Sequence, residues 1–311
     1  MSITTVSLTV CMMGIIILLG VIIARRIQIT FEAKQLFMSV IINIAVPCII
    51  LNGVFNTEIN DTLLMQVLKI FLISVIFNLL AIGFALISAK ILDISLAKAK
   101  QLALLSAIGN TGFIGIPLCA AIFGPVGGLL AAVFDAGLDV VVFSVGIYLL
   151  QNQGGFQWRH LKSLINMPLF AVSFGLLFAA SGLDAPALLK ELTAMLSGLA
   201  APLAMLYIGF LLLPFFQRKQ ALYYPTLWLP LLLKLLVIPI STIVVLSILP
   251  LDMMIKQLLV LLTCMPTFTL ASVLFSRYTS NEQQVVITTV TSTILSLATI
   301  PLISWISIWL L

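Results

Sequence analysis

Ten blocks of apolar residues, set apart by short polar stretches, account for nearly the whole chain. They cover about residues 6–24, 36–54, 63–89, 99–123, 126–150, 164–180, 194–215, 222–249, 254–275 and 285–310. Most are long enough, at 1.5 Å per residue, to cross a hydrocarbon layer about 30 Å thick as α-helices, whereas barrel strands would alternate over about ten residues. The pattern predicts an all-α integral membrane protein of ten transmembrane helices. Arg25 and Arg26 directly follow the first block, and no Lys or Arg lies in the nine residues before Val10. That order opposes a cleavable signal peptide, which places its positive charge first, so a retained first span is expected.

Within the fourth block, Ser106 to Pro125 reads SAIGNTGFIGIPLCAAIFGP. Pro117 has no N–H for the carbonyl of Phe113, and its ring clashes with that carbonyl, so the helix is expected to break in this stretch. In lipid a freed backbone carbonyl costs several kcal/mol, and a break is tolerated only where protein or a water-filled cavity receives it. A broken segment at mid-depth therefore points to a binding site. The alternative is a kinked helix whose glycines at 109, 112 and 115 let a neighbour come close.

A second interruption matches the first. Block two holds Ala45-Val-Pro47-Cys-Ile-Ile-Leu51 and block seven holds Ala200-Ala-Pro202-Leu-Ala-Met-Leu206, both A-x-P-x-x-x-L. Pro117 follows Pro47 by 70 residues, and Pro266, in block nine, follows Pro202 by 64. The halves correspond: residues 1–151 form a first five-helix repeat, 152–163 a short connector and 164–311 a second repeat. An odd number of spans per half makes the second repeat inverted. Interrupted spans at corresponding positions of inverted halves are a pointer to a carrier's substrate site near the bilayer midplane.

Composition agrees with the pattern: 62 % of the 311 residues are hydrophobic, 8 % are charged, and the mean hydropathy is +1.27. The four cysteines lie inside apolar blocks without C-x-x-C spacing, and the single histidine, His160, sits in a polar loop, so neither a disulfide framework nor a metal site is supported. No cofactor is expected. Eleven basic residues fall in the loops after spans one, three, five, seven and nine: Arg25, Arg26, Lys34, Lys90, Lys98, Lys100, Arg159, Lys162, Arg218, Lys219 and Arg277. The alternate loops hold only Lys190 and Lys256. By the positive-inside rule the first set is cytoplasmic, and both termini are expected outside the cytoplasm of a multi-pass plasma-membrane protein. The net charge of +5 then needs no nucleic-acid partner.

The run Gly109-Asn-Thr-Gly-Phe-Ile-Gly-Ile-Pro117, followed by Phe123-Gly-Pro125, with Met265-Pro266 and a closing Thr-rich span ending at Pro301, resembles the auxin efflux carrier family of secondary transporters. The resemblance covers nearly the whole chain. It implies ten helices in two inverted five-helix repeats, a crossover of broken helices four and nine, and a scaffold of helices one, two, six and seven. It also implies a homodimer and an elevator-like movement. Plant members export auxin, while bacterial members are associated with small carboxylates such as malonate or malate. The short connector between the halves indicates a compact, bacterial-type member.

Candidate chemistry follows from polar residues inside apolar blocks. Asp135 and Asp139, one helical turn apart, can bind a cation such as Na⁺, shuttle H⁺ or partner a lysine; the alternative is a protonated carboxyl that bonds a neighbouring helix. Lys234 is the better candidate for a buried counter-charge, whereas Lys69 is placed to snorkel. At the crossover, N–H groups at the start of a half-helix would meet the anion of a carboxylate substrate. Asn110, Thr111, Gly112 and Pro117 on one side, and Pro266, Thr267 and Thr269 on the other, compose that candidate site, with Asn43 and Asn52 flanking Pro47. For these amides and hydroxyls, as for the polar face Thr288, Ser292, Ser296 and Thr299, interhelical packing is the alternative. The leading function is a secondary carrier of small organic anions. An anion channel is the competing reading. An intramembrane aspartyl protease is the third, and it is disfavoured because both aspartates share one helix.

Overall fold

The computed structural model of the chain describes residues 2–57, 61–151, 166–217, 224–279 and 282–311. The connector at 152–163 and the basic residues Arg159, Lys162, Arg218 and Lys219 lie outside the described residues. Among the described residues every regular element is helical, and seven helices are long and apolar enough to cross a membrane. The first is α1 (Ile3–Arg26), opened by a Ser2 hydroxyl that accepts the Thr5 N–H. Next come α2 (Phe31–Phe55), α3 (Asp61–Ile91) and α4 (Leu96–Ala107). The apolar run α5 (Thr111–Leu150) follows, then α6 (Met167–Ala180), α7 (Ala187–Ser197) and α8 (Ala200–Gln217). The last four are α9 (Trp228–Ile248), α10 (Met253–Thr263), α11 (Ala271–Tyr278) and α12 (Glu282–Leu310).

Prolines shape these helices without always breaking them. A proline removes the bond to the carbonyl four residues back and crowds it, and one extra residue in the preceding turn relieves both problems. Such π turns precede Pro47, Pro117 and Pro239, at Ile41–Ala45, Thr111–Gly115 and Leu233–Val237. In two of them the residue before the proline donates five residues back, Val46 to Ile41 and Ile238 to Leu233. Pro117 is thus held inside a helix. The interruption expected within Ser106–Pro125 falls at 108–110, between α4 and α5, and not at Pro117 itself. A second one falls at Gly124, where φ is 73° and Pro125 follows. Forty residues of helix would extend about 60 Å, twice the hydrocarbon thickness, and Gly124 divides α5 where the hydropathy pattern separates blocks four and five.

Block seven starts earlier than its hydropathy suggests. Its helix begins at Ala187, after Pro186, and carries Lys190 and Glu191 in its first turns. Lys190 donates to Asp184 at 2.7 Å, which holds that exposed carboxyl below the usual carboxylate range.

The chain divides into two units of dense internal contact, which do not follow the two halves of the sequence. The first comprises Met1–Phe71, Thr111–Ala136 and Ile165–Arg218, and so holds α1, α2, α6, α7 and α8. Its tightest seam joins α1 to α8. A Cβ at Gly209 would lie 2.4 Å from the Ile17 carbonyl oxygen, and one at Gly20 would lie 2.6 Å from that of Leu206. Here only glycine fits, because helix backbones touch. Phe37 packs edge-on against Phe210, and Phe113 stacks on Tyr207.

The second unit comprises Leu72–Asn110, Gly137–Leu164 and Lys219–Leu311. In it α9 packs on α4 and α12, and α10 and α11 also pack on α12. The inward polar stripe of α12 is buried: Thr288, Ser292 and Ser296 are closed to solvent, and Tyr224 and Thr288 share a hydrogen bond of 2.6 Å.

Candidate functional site

Two interrupted helices meet within the second unit. α4 ends at Ala107, and residues 108–110 leave helical geometry; α10 ends at Thr263, and residues 264–270 run non-helically to α11. The two irregular segments pair as a short antiparallel bridge between Gly109 and Thr267. The Asn110 N–H donates to the Pro266 carbonyl at 2.7 Å, and the Phe268 N–H to that of Ile108 at 3.3 Å. The Thr267 hydroxyl donates to the Leu105 carbonyl at 2.9 Å, while its N–H donates to the Ser292 hydroxyl at 3.1 Å. The Asn110 amide donates to the Thr269 hydroxyl at 2.7 Å. Asn110 is 4 % exposed and Thr267 fully buried. Backbone groups freed by the two breaks thus find partners in each other and in short polar side chains, as an interior without water requires.

Lys234 enters the same region from the π turn of α9. It is 1 % exposed, and its Nζ donates to the Ala107 carbonyl at 3.0 Å. A Cβ at Gly109 would stand 3.0 Å from that nitrogen. Among the described residues its partner is this carbonyl, not the carboxylate that the sequence suggested.

The first unit holds a separate cluster at the start of α5. The Thr111 hydroxyl donates to Asp135, and a Cβ at Gly112 would lie 3.1 Å from Asp135 Oδ2. The carboxylate therefore faces the positive, amide-rich end of the helix that begins at Thr111, an orientation favoured by the helix dipole. The chain's own anion sits where sequence reasoning placed open donors for a substrate.

Asn110, Pro266, Thr267 and Thr269 are accordingly brought together with Lys234, and Thr111 and Gly112 with Asp135. Asp139 is half-buried one turn further along α5. Asn43 stands on an exposed face of α2 and donates to Ser39, Lys69 is exposed, and Asn52 accepts from the Asn56 amide. Ser292 is the participant that sequence reasoning assigned to packing. Its place on the polar face of α12 was the available signal, and the backbone N–H it receives was not visible there.

A transporter from Methanothermobacter thermautotrophicus, described as uncharacterized, is 29 % identical over 205 residues, or 65 % of this chain. The match spans 66 % of that relative, just under two thirds of its length. The profile of the membrane transport protein family matches residues 5–304, taking in both interrupted segments, Lys234 and Asp135. The chain is a multi-pass membrane protein and belongs to this family, the auxin efflux carrier family that its GNTGFIGIP run resembles.

Proposed function

We propose that the protein is a secondary carrier of small organic anions, mono- or dicarboxylates, which works by alternating access with its substrate at the paired breaks of spans four and nine. The observation that carries this reading is the Gly109–Thr267 bridge: two apolar helices interrupted at matched positions, joined through buried polar groups and approached by a buried ammonium. In this reading the chain forms ten spans in two inverted five-helix repeats, with the paired breaks as the crossover. α1, α2, α6 and the α7–α8 span supply the scaffold, and their grouping in one contact unit supports that assignment. A homodimer in the plasma membrane with both termini outside the cytoplasm, moving like an elevator, completes the proposal. Asp135 and Asp139 are the candidates for H⁺ or Na⁺ coupling.

Counterflow tests the reading. Proteoliposomes loaded with unlabelled malonate should accumulate radiolabelled malonate transiently and with saturation, and a panel of mono- and dicarboxylates should compete. A conductance that never saturates and shows no counterflow would identify a channel instead.

A further inference from the structure

The carbonyl end of an interrupted helix carries roughly half a negative charge, concentrated on its last unpaired C=O groups. In carriers built on broken helices, such ends and the unwound carbonyls beside them coordinate the driving Na⁺ ion. In this chain α4 ends at Ala107, and the group that meets the Ala107 carbonyl is the Lys234 ammonium at 3.0 Å. We propose that Lys234 is a tethered cation that stands at the carbonyl end of α4 in place of a mobile sodium ion and leaves a positive excess beside the broken segment for an anionic ligand.

Several independent features of the site agree. Lys234 is buried at 1 % exposure, so its charge is not dissipated into solvent, and it donates to a neutral carbonyl, with no carboxylate partner among the described residues. An ammonium has three donors, and a dipole end offsets only part of a full charge. The remainder is available to an anion. The backbone is shaped for this group at two places. The π turn Leu233–Val237 presents Lys234 toward α4, against which that turn packs. Gly109, two residues past Ala107, leaves room that a side chain would take, since its Cβ would approach Nζ to 3.0 Å and Cε to 3.4 Å. A lysine here also differs from a sodium ion in mechanism. It cannot leave, so it stays at the site through every stage of the cycle and draws no work from a sodium gradient.

The anionic ligand rests on the carrier reading above; the tethered cation does not. Purified protein in lipid nanodiscs is melted in choline chloride and in NaCl at equal ionic strength. Wild type is expected to melt at one temperature in both salts and to bind malonate equally well in both. Lys234→Ser, which opens room beside the Ala107 carbonyl, is expected to melt lower in choline and to regain about 3 °C or more at saturating Na⁺. Lys234→Met, which fills the space without charge, should melt low in both. Gly109→Ala, which crowds the ammonium, should lose malonate affinity without becoming sodium-responsive. A saturable rise of wild-type Tm with Na⁺ overturns the proposal, and so does a Lys234→Ser protein that ignores Na⁺. Should Lys234→Ser fail to fold, the wild-type comparison still decides. If no carboxylate binds in either salt, the carrier reading fails while the melting comparison still reports on the lysine.

Discussion

Asp135 is the residue whose replacement separates two accounts of how an anion could use the start of α5. Its carboxylate accepts from the Thr111 hydroxyl and lies against Gly112, so it occupies the electropositive first turn. A substrate carboxylate drawn to the same N–H groups would sit within about 6 Å of it. At an effective dielectric near 20, two unit charges at that separation repel by about 2.8 kcal/mol, roughly a hundred-fold in affinity. Protonating Asp135 removes the repulsion and keeps a hydrogen bond with Thr111. Substrate binding therefore favours the protonated form, and wild-type affinity for a monocarboxylate should fall as pH rises. Simple carboxylic acids, with pKa values near 4, stay ionised between about pH 6 and 8, so the trend in that window belongs to the protein. Asp135→Asn mimics the protonated side chain in shape. It should bind with an affinity that no longer changes with pH and that exceeds wild type by up to about a hundred-fold at the alkaline end. Titration calorimetry in nanodiscs across that window, paired with counterflow at each pH, measures both. An Asp135→Asn protein that is folded yet keeps the wild-type pH trend would refute the reasoning, because the proton would then reside elsewhere.

Three other outcomes are expected. Asn110→Ala deletes the amide bonded to Thr269; malonate affinity should drop about ten- to a hundred-fold with little change in Tm, since a hydrogen bond to a charged group contributes about 1.5–3 kcal/mol. Gly209→Ala would drive a Cβ to 2.4 Å from the Ile17 carbonyl and should cost about 1–3 kcal/mol of stability, whereas Gly83→Ala, whose Cβ would meet nothing within 4 Å, should be neutral or stabilising by up to about 1 kcal/mol; equal melting temperatures would contradict both. Single cysteines at Asn56 and Ser181, in a background without the native four, should react with an impermeant thiol reagent from outside the cell while one at Gln153 stays protected, and the reverse labelling would invert the orientation.

The helical, membrane-spanning class was legible because hydropathy acts over whole blocks, and the family because the string from Gly109 to Pro117 is specific. Details that depend on one backbone atom were not. Pro117 was readable as a disturbance, but a proline acts on the turn before it, and the extra residue of the π turn at Thr111–Gly115 absorbs the clash. The interruption then falls at 108–110, where Gly109 tolerates the Lys234 ammonium. Lys234 was readable as a buried charge in want of a counter-charge. Its partner is the Ala107 carbonyl, which any residue type at 107 would supply, so composition carries no trace of it. Likewise Asn110 and Thr269 are each plausible donors in isolation, yet their pairing across 159 residues of chain is a fact of topology.

The charges at the two helix ends also limit what a substrate can find there. α4 is met at its carbonyl end by Lys234, and α5 is met at its amide end by Asp135, each within its own contact unit. Both arrangements follow the sign of the helix dipole, so an uncharged ligand would gain little from either end. An anion at the broken segment gains from the ammonium, whereas one drawn to the start of α5 meets a carboxylate that a proton can neutralise. Lys234 is thus an attraction within its own unit, and Asp135 a conditional repulsion within the other. Under the carrier reading, a bound anion and a proton on Asp135 each make the other more favourable, and reciprocity of that linkage is what would let a proton gradient drive the anion.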